Sequence, residues 1–511
     1  MTQRPGQPPL TPGPSPPRGE GSIRIAKCTV QLRYVAIVLA AQCLIAWTAP
    51  PAWAQISGGG SGGSSGTSGQ SGQSGQTGAQ GNTSGGILVD AQGVVRAAFQ
   101  QDNSGKLDQK RRRELAGKLT EHSLPGDLSQ YSPLRKVSLP RLEAACESYA
   151  RDRTHVSSEM QFLAGLQRID YVFVYPAEKD IVIAGPAEGY IIDGAGRAIG
   201  NSTGRPALRL DDLMVALRSL ERGGGPIRCS IDPQDANMAR LQAFAARNSA
   251  PASFEEARLQ FDQMADVLGM QNISLSGIPV ESHFAELLVE ADVRMKRLSV
   301  GVDTIAVKGF HSHLSMVGPG ANSVERWWFT PLYDAFTRSA DGLAFEISGQ
   351  RVQLESQDEL VSSSGQRSSA PFTRVTTQKF SKQFTDKYPE IAKAAPVFAE
   401  LQSLFDLSIL AALIKKERLD RKVNWPMSLF LDAERATIVK RNVPRQIHSV
   451  SNFKLLGKGI FVAQVTGGVQ IDPWQVLRHA EYASDSSGKL RTARTEATTK
   501  EQPKEHPWWW D

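Results

Sequence analysis

The sequence predicts an α+β protein, and two patterns point to this fold class. Short β-rich runs parted by turn residues predict an antiparallel β-meander with helices after it. A second α+β part follows and contains a long, almost wholly apolar helix, which predicts a buried position. A signal segment and a linker, both predicted to be disordered, precede the folded part.

The N-terminal residues 1–54 have the three-part pattern of a secretory signal peptide, with an extended leader. Basic residues from Arg24 to Arg33 precede an apolar run of about fourteen residues, shorter than the roughly 20 that a membrane-spanning helix needs. A small-residue motif then predicts cleavage between Ala54 and Gln55. We therefore expect export to the periplasm, the cell envelope or the extracellular space, with no integral membrane segment after cleavage.

The linker, residues 55–86, is rich in Gly, Ser and Gln and is predicted to be a flexible coil, because it offers too few apolar side chains for a core. An N-terminal α+β domain is predicted over residues 87–300. Hairpins are expected at its start and near residue 190, and strands at 171–175, 181–184 and 227–231. Helices are expected at 210–220, from Pro233, after a capping box of Ser253 and Glu256, and at 282–298.

A C-terminal α+β domain is predicted over residues 301–483. Its strands are expected at 324–329, 343–347 and 352–354, and its long apolar helix at 397–417. The remaining residues, 484–511, are polar and predict a disordered tail. Three tryptophans, Trp508–Trp510, stand just before Asp511 in this tail and could dock on this protein, on a partner or at a lipid interface.

The net charge argues against a nucleic-acid partner. The formal charge of the whole chain is +6. Residues 1–54 carry five basic side chains and one acidic one, so cleavage removes four of these six charges. The remaining excess gives little general attraction to polyanions.

Two cysteines, Cys146 and Cys229, remain after cleavage. In an oxidising compartment they could form one disulfide, which would typically stabilise the fold by about 2–4 kcal/mol. The alternative is two buried, unpaired thiols. Both possibilities stay open at the level of the sequence.

The best metal-like pattern is the pair His311 and His313. On a strand, residues two apart share a face, so both imidazoles could bind one ion. Glu281, His283 and Glu286 could supply further ligands if the fold brings them close. The alternative is a pair of ordinary surface histidines in a loop.

Adjacent tryptophans at Trp327 and Trp328 could offer a stacking surface for sugar rings. The alternative is that the first ring packs in the core and the second is partly exposed without a binding role. Because neighbouring strand residues point to opposite faces, one ring is expected in the core and at most one at the surface. No phosphate-binding loop, zinc-protease motif or redox motif occurs, so no cofactor is expected.

Several segments together resemble a family of secreted planctomycete proteins of unknown function. The segments are YVFVYP at 171–176, IAGPAEGY at 183–190, TGRPALRLDDL at 203–213, RMKR at 294–297, RWWFTP at 326–331, DGLAFE at 341–346 and VFAELQ at 397–402. The resemblance implies an exported protein. It implies no activity, so no functional residue is carried over.

These observations predict a non-enzymatic interaction protein of the periplasm or cell envelope, whose partner is another protein or an envelope component. The alternative is an exported hydrolase of unrecognised type that acts on glycan or peptide. In that case His311 and His313 are the first residues to test. Whether the chain is an enzyme stays open.

Overall fold

A computed structural model describes residues 128–498 and 509–511, except residues 153, 195, 249–250, 252, 319–323, 457–458 and 481. It also describes the backbone of residues 83–89 and 95–101. The signal segment with its predicted cleavage site at Ala54 and Gln55, and most of the linker, lie outside the described residues. All described residues belong to one compact unit, residues 76–511.

The described residues form eighteen strands, thirteen α-helices and a short 3-10 helix at Leu163–Gly165. The strands are β1 (Thr83–Val89), β2 (Val95–Gln101), β3 (Ser132–Ser138), β4 (Tyr171–Tyr175), β5 (Asp180–Ala187), β6 (Tyr190–Ile192), β7 (Ala198–Gly200), β8 (Ile227–Pro233), β9 (Met270–Ser276), β10 (Val324–Leu332), β11 (Phe336–Arg338), β12 (Ala344–Glu346), β13 (Arg351–Val361), β14 (Arg367–Ser369), β15 (Gln446–His448), β16 (Ser451–Leu456), β17 (Gly459–Ile471) and β18 (Tyr482–Ser484). The helices are α1 (Leu139–Asp152), α2 (Ser158–Gln161), α3 (Leu210–Glu221), α4 (Asp235–Arg247), α5 (Phe254–Leu268), α6 (His283–Ser299), α7 (His313–Met316), α8 (Val375–Asp386), α9 (Tyr388–Ala394), α10 (Pro396–Lys416), α11 (Leu419–Lys422), α12 (Pro473–His479) and α13 (Lys489–Thr498).

Two sheets carry most of the strands, and the predicted α+β class is confirmed. One sheet has the order β18-β11-β12-β4-β5-β3. The other has the order β14-β13-β10-β17-β8-β9-β15, and β16 also pairs with β17. Most neighbours are antiparallel, whereas β10 pairs with β17 and β11 pairs with β18 in parallel. The predicted hairpins are present as β1–β2 and β6–β7.

Strands from both predicted domains share both sheets. Strands β8 and β9 belong to the predicted domain 87–300, yet they lie in one sheet with β10, β13 and β17 of the predicted domain 301–483. In the other sheet β12 pairs with β4. The boundary predicted at residue 300 therefore falls inside one compact unit. Pairing between strands so far apart in the chain leaves no local sequence pattern.

Helix α10 lies at the centre of the hydrophobic core. Every residue from Val397 to Ile414 is buried, and the helix contacts α3, α6, α9, α12 and β13. The predicted burial of this helix is confirmed, because a helix that is apolar on all sides has no face for solvent. Among the described residues, α10 alone is long and apolar enough to cross a membrane, but its apolar stretch is entirely buried inside the molecule.

Local signals predicted some helix starts correctly and one wrongly. The Ser253 side chain accepts a hydrogen bond from the Glu256 backbone N–H at 3.2 Å, so the predicted helix cap at Ser253 is confirmed. The helix start predicted at Pro233 is wrong, because Pro233 ends β8 and α4 begins at Asp235. Strand β9 has no counterpart among the predicted strands.

The segment 484–511, predicted to be disordered, contains a helix and a docked end. On α13, Leu490, Ala493 and Ala497 follow the i, i+3, i+7 spacing of one helix face. They pack on a small apolar cluster of the six-stranded sheet that includes Phe173. Residues 509–511 contact β3. The many polar side chains of this segment concealed the short apolar stripe.

Candidate functional site

The two predicted metal ligands have different surroundings. The Ser312 side chain accepts a hydrogen bond from the Ser315 backbone N–H at 3.2 Å and caps α7. His313 is therefore the first residue of a helix, whereas His311 precedes it in an exposed loop. The shared strand face on which the metal prediction rests is absent, because the cap turns the chain between the two residues.

His313 is a buried imidazole without its positive charge at neutral pH. Its ring packs edge-on against Trp327, with the ring centroids 5.0 Å apart. Burial and the nearby charge of Arg374 lower the pKa of His313 to about 4. Among the described residues, no three His, Cys, Asp or Glu side chains form a group that could hold a metal ion. The predicted pair thus finds no third ligand there.

The carboxylates considered as further metal ligands pair with cations at the surface. Glu281 Oε2 lies 3.3 Å from Lys440 Nζ, and Glu286 Oε2 lies 3.6 Å from Arg441 Nε. His283, the third residue considered, lies in a different environment. These residues therefore do not gather around His311 and His313.

His283 belongs to a buried ion cluster that joins four parts of the fold. Its Nδ1 lies 2.8 Å from Asp212 Oδ2 on α3, and its Nε2 lies 3.9 Å from Glu400 Oε1 on α10. Arg197, in the turn between β6 and β7, donates from Nε to Glu400 Oε2 at 2.7 Å. Burial lowers the pKa of His283, but the charge and hydrogen bond of Asp212 and the charge of Glu400 together outweigh it, so the net pKa is raised. With a carboxylate beside each ring nitrogen, this histidine stabilises helix packing.

Both cysteines are free, buried thiols in the structure. Cys146 Sγ lies 3.9 Å from Met160 Sδ. Burial, reinforced by Glu143, raises the pKa of Cys146 to about 12. Burial also raises the pKa of Cys229. Thiols with raised pKa values are poor nucleophiles, because the thiolate is the reactive form.

Cys146 and Asp211 line a cavity of about 180 Å³, together with apolar side chains such as Met214 and Phe430. Small-molecule sites typically occupy roughly 300–1,000 Å³. Asp211 accepts a hydrogen bond from the Val439 backbone N–H at 3.1 Å, so its carboxylate is partly engaged by the wall. This cavity is too small to be the leading candidate.

The adjacent tryptophans of β10 lie on opposite faces of the eight-stranded sheet, as alternation predicts. Trp327 is fully buried and donates from Nε1 to the Thr377 carbonyl at 3.2 Å. Trp328 is partly exposed, and the Arg326 guanidinium lies 5.6 Å from the centroid of its ring. We call the side that carries Trp327 the core face and the side that carries Trp328 the polar face.

Trp328 lies in a row of residues that crosses five strands on the polar face. Strand register places Trp328 beside Glu355 on β13 and beside Gly468 on β17. Gly468 is opposite Ser230 on β8, and Ser230 is opposite Ser274 on β9. Ser274 is exposed, and Trp328, Glu355 and Ser230 are partly exposed. At about 4.8 Å between strands, this Trp328 row spans roughly 19 Å.

Charged and hydroxyl groups flank the Trp328 row and are held in place by their own contacts. Thr330 donates to Glu355 Oε1 at 3.0 Å, and Arg326 Nη1 lies 3.1 Å from Glu359 Oε1. Arg367 Nη1 lies 2.9 Å from Asp232 Oδ1. Burial raises the pKa of Asp232, but the Arg367 charge and the hydrogen bonds from Ser230 and Arg367 together outweigh it, so the pKa is lowered overall.

Gly468 leaves the centre of the Trp328 row flat, and its neighbour Gly467, opposite Trp327, is equally closely packed. A Cβ atom at Gly467 would lie 1.8 Å from the Trp327 carbonyl oxygen, and one at Gly468 would lie 1.9 Å from the Cys229 carbonyl oxygen. Only glycine permits this close approach of the three strands. As a result, no side chain rises from the sheet between Trp328 and Ser230.

One end of the polar face is walled by α4 and the turn between β13 and β14. Gln242 Nε2 donates to the Val361 carbonyl at 3.2 Å. A Cβ atom at Gly365 would lie 1.8 Å from the Asp235 carbonyl oxygen, so the turn packs directly on the start of α4. These contacts fix α4 and the turn against each other, which gives the polar face a defined end.

Sequence reasoning found Trp328 but not its neighbours in the row. The alternation of β10 predicted one buried ring and at most one exposed ring in this pair, and Trp328 is the partly exposed one. Glu355, Ser230, Ser274 and Gly468 come from four other strands and meet through long-range register. No local pattern marks them.

A family described as a protein of unknown function (DUF1598) matches residues 229–313 of the chain. The matched segment runs from β8 to the start of α7 and includes Ser230 and Ser274 of the Trp328 row. This similarity agrees with the expected resemblance to a family of unknown function. The planctomycete and secreted character of that family stays a prediction. No curated protein and no solved structure significantly matches the chain.

Proposed function

We propose that this chain is an exported, non-enzymatic binding protein and that the polar face of its eight-stranded sheet binds a glycan chain. The Trp328 row carries this proposal. It combines a partly exposed indole with a flat glycine centre and hydroxyl and carboxylate groups on both sides. Export is supported by the signal-peptide pattern of residues 1–54.

The chemistry of the row suits a sugar chain. An indole offers an apolar surface for the C–H face of a sugar ring, while neighbouring polar groups exchange hydrogen bonds with its hydroxyls. Glu355 and Asp232 supply acceptors, and Arg326 supplies donors. Contacts with Thr330, Arg367 and Glu359, respectively, hold these groups in place before a ligand arrives, which lowers the entropic cost of binding.

A non-enzymatic role is supported by the state of the reactive groups. Cys146 and Cys229 are buried thiols with raised pKa values. His283 has a carboxylate beside each ring nitrogen. The contacts of these groups stabilise the fold and leave no activated nucleophile at these three positions.

The test is a titration of the exported protein with a panel of oligosaccharides from plant, bacterial and chitin-type polysaccharides, followed by calorimetry. We expect at least one oligosaccharide to bind and Trp328→Ala to weaken its binding at least tenfold. Trp328→Tyr keeps an aromatic surface and should retain most of the affinity. Tyr131→Ala is the matched control, because Tyr131 is an exposed aromatic residue beside the other sheet.

Two results would overturn the proposal. Either no oligosaccharide binds the wild-type protein, or Trp328→Ala binds as tightly as the wild type. Chromatography of the titrated sugars adds a further check. Shortened products would show hydrolysis and would replace the binding function with the hydrolase alternative.

A further inference from the structure

Strand β3 is an edge strand of the six-stranded sheet, and residues 509–511, here called the WWD segment, pair with its outer side. Val137 and Trp510 form an antiparallel bridge. The Ser138 N–H donates to the Trp509 carbonyl at 2.7 Å, and the Asp511 N–H donates to the Lys136 carbonyl at 3.0 Å. This is the geometry by which a peptide adds a strand to an exposed sheet edge.

Each side chain of the WWD segment has its own partner on the fold. Trp509 is 8% exposed and packs in the main hydrophobic core. The Arg135 guanidinium lies 5.1 Å from the centroid of the Trp510 ring. Asp511 forms an ion pair with the Lys136 ammonium group, and its Oδ1 accepts a hydrogen bond from the Lys136 backbone N–H at 3.2 Å. The fold around the β3 edge thus contacts the side chains of all three residues of the WWD segment.

The fold positions both cations independently of the WWD segment. Arg135 is 2% exposed and donates from Nη1 to the Ala164 carbonyl at 2.9 Å. Lys136 Nζ donates to the Ala497 carbonyl at 3.2 Å, at the end of α13. If the segment leaves, these buried charges lose an aromatic ring and a carboxylate. The edge therefore favours an occupant that supplies both.

The connection between α13 and the WWD segment is short but does not dictate which copy of the chain the segment binds. Helix α13 ends at Thr498, and ten residues separate it from Trp509. Fully extended, these residues reach up to roughly 35 Å. If two copies exchange their WWD segments, every contact between segment and edge is kept, so the exchange costs little free energy.

We propose that the β3 edge is a binding site for a Trp-Trp-Asp segment and that the WWD segment of a second copy of this chain can occupy it. The segment seen on β3 is then the intramolecular occupant of a site that also works between molecules. A tethered occupant has an effective concentration in the millimolar range, so it competes strongly with a second copy. Exchange becomes visible once the intramolecular pairing is disabled.

Two complementary variants test this proposal. The double variant Trp509→Ala/Trp510→Ala keeps the edge and loses the occupant. Lys136→Glu keeps the occupant and repels Asp511 from the edge. In sedimentation velocity across a dilution series, we expect each variant alone to be a monomer and an equal mixture to form a one-to-one complex. A mixture that stays monomeric would contradict the proposal.

A labelled peptide covering residues 500–511 gives a second measurement that needs only the first variant. By fluorescence anisotropy, the double variant should bind this peptide at least tenfold more tightly than the wild type, because the wild-type edge is occupied. A control peptide with alanine at both docked tryptophan positions, 509 and 510, should not bind. Equal affinity of wild type and double variant, or binding of the control peptide, would show that the segment merely covers the edge.

Discussion

The two faces of the eight-stranded sheet use the same residue types for different purposes. Trp327 and Trp328 are neighbours in sequence, yet the first is fully buried beside His313 and Phe380, and the second is partly exposed beside Arg326. A tryptophan on the core face therefore contributes to stability. A tryptophan on the polar face is available to a ligand.

The ion pairs of the two faces differ in the same way. On the core face, Lys296 Nζ of α6 lies 2.9 Å from Asp292 Oδ2 and donates to the Ile231 carbonyl at 2.7 Å, with both charged side chains fully buried. On the polar face, Arg326 pairs with Glu359 while 39% of the Arg326 side chain is exposed. Solvent screens only the second pair, so only the first should matter for folding.

The largest expected effect concerns the two tryptophans. Trp327→Ala should lower the free energy of unfolding by about 3–5 kcal/mol, because it leaves a large cavity in the core. Trp328→Ala should lower it by about 1 kcal/mol, since its ring already contacts water. Urea denaturation measures both. Equal losses for the two variants would break the distinction between the faces.

The ion pairs give the next comparison. Lys296→Met should cost about 3–5 kcal/mol, because it leaves the Asp292 carboxylate buried without its cation. The double variant Asp292→Leu/Lys296→Met should recover most of that loss and serves as the control. Arg326→Met on the polar face should cost about 0–1 kcal/mol. Urea denaturation midpoints, compared among variants with equal m-values, rank the stability losses of these three variants.

A third prediction concerns pH and a core-face carboxylate. Burial raises the pKa of Glu325 to about 8 from an ordinary value of 4.5, although Arg374 acts against this shift. The folded state therefore holds the proton more tightly than the unfolded state, and stability falls as pH rises from 4.5 through 8. Glu325→Gln should remove this part of the pH dependence. An unchanged profile of unfolding free energy against pH in the variant would contradict the assignment.

The smallest expected effect marks the end of the Trp328 row. Ser274 is exposed on β9, so Ser274→Ala should leave the unfolding free energy within about 0.5 kcal/mol of the wild type. If the ligand spans the row, the lost hydrogen bond should weaken binding by about 0.5–1.5 kcal/mol. Calorimetry with the oligosaccharide that binds the wild type measures this. Unchanged affinity would shorten the site to β13, β10, β17 and β8.

The sequence predicts what depends on neighbouring residues. Alternation separated Trp327 from Trp328, and the spacing of Ser253 and Glu256 predicted a helix start. The position of β17 between β10 and β8 depends on residues more than 100 positions apart, so the row of Gly468 and its neighbours was not predictable. The apolar face of α13, formed by Leu490, Ala493 and Ala497, follows a helical spacing in the sequence, but it is too short to be recognised within a polar segment.

Fluorine NMR of protein labelled with 5-fluorotryptophan tests the central claim most directly. The resonances of Trp327 and Trp328 are assigned by Trp327→Phe and Trp328→Phe, and the wild type is titrated with the oligosaccharide that binds it. We predict that the Trp328 resonance shifts in proportion to bound ligand while the Trp327 resonance stays in place. A Trp328 resonance that does not move at saturating ligand would contradict a binding site on the polar face.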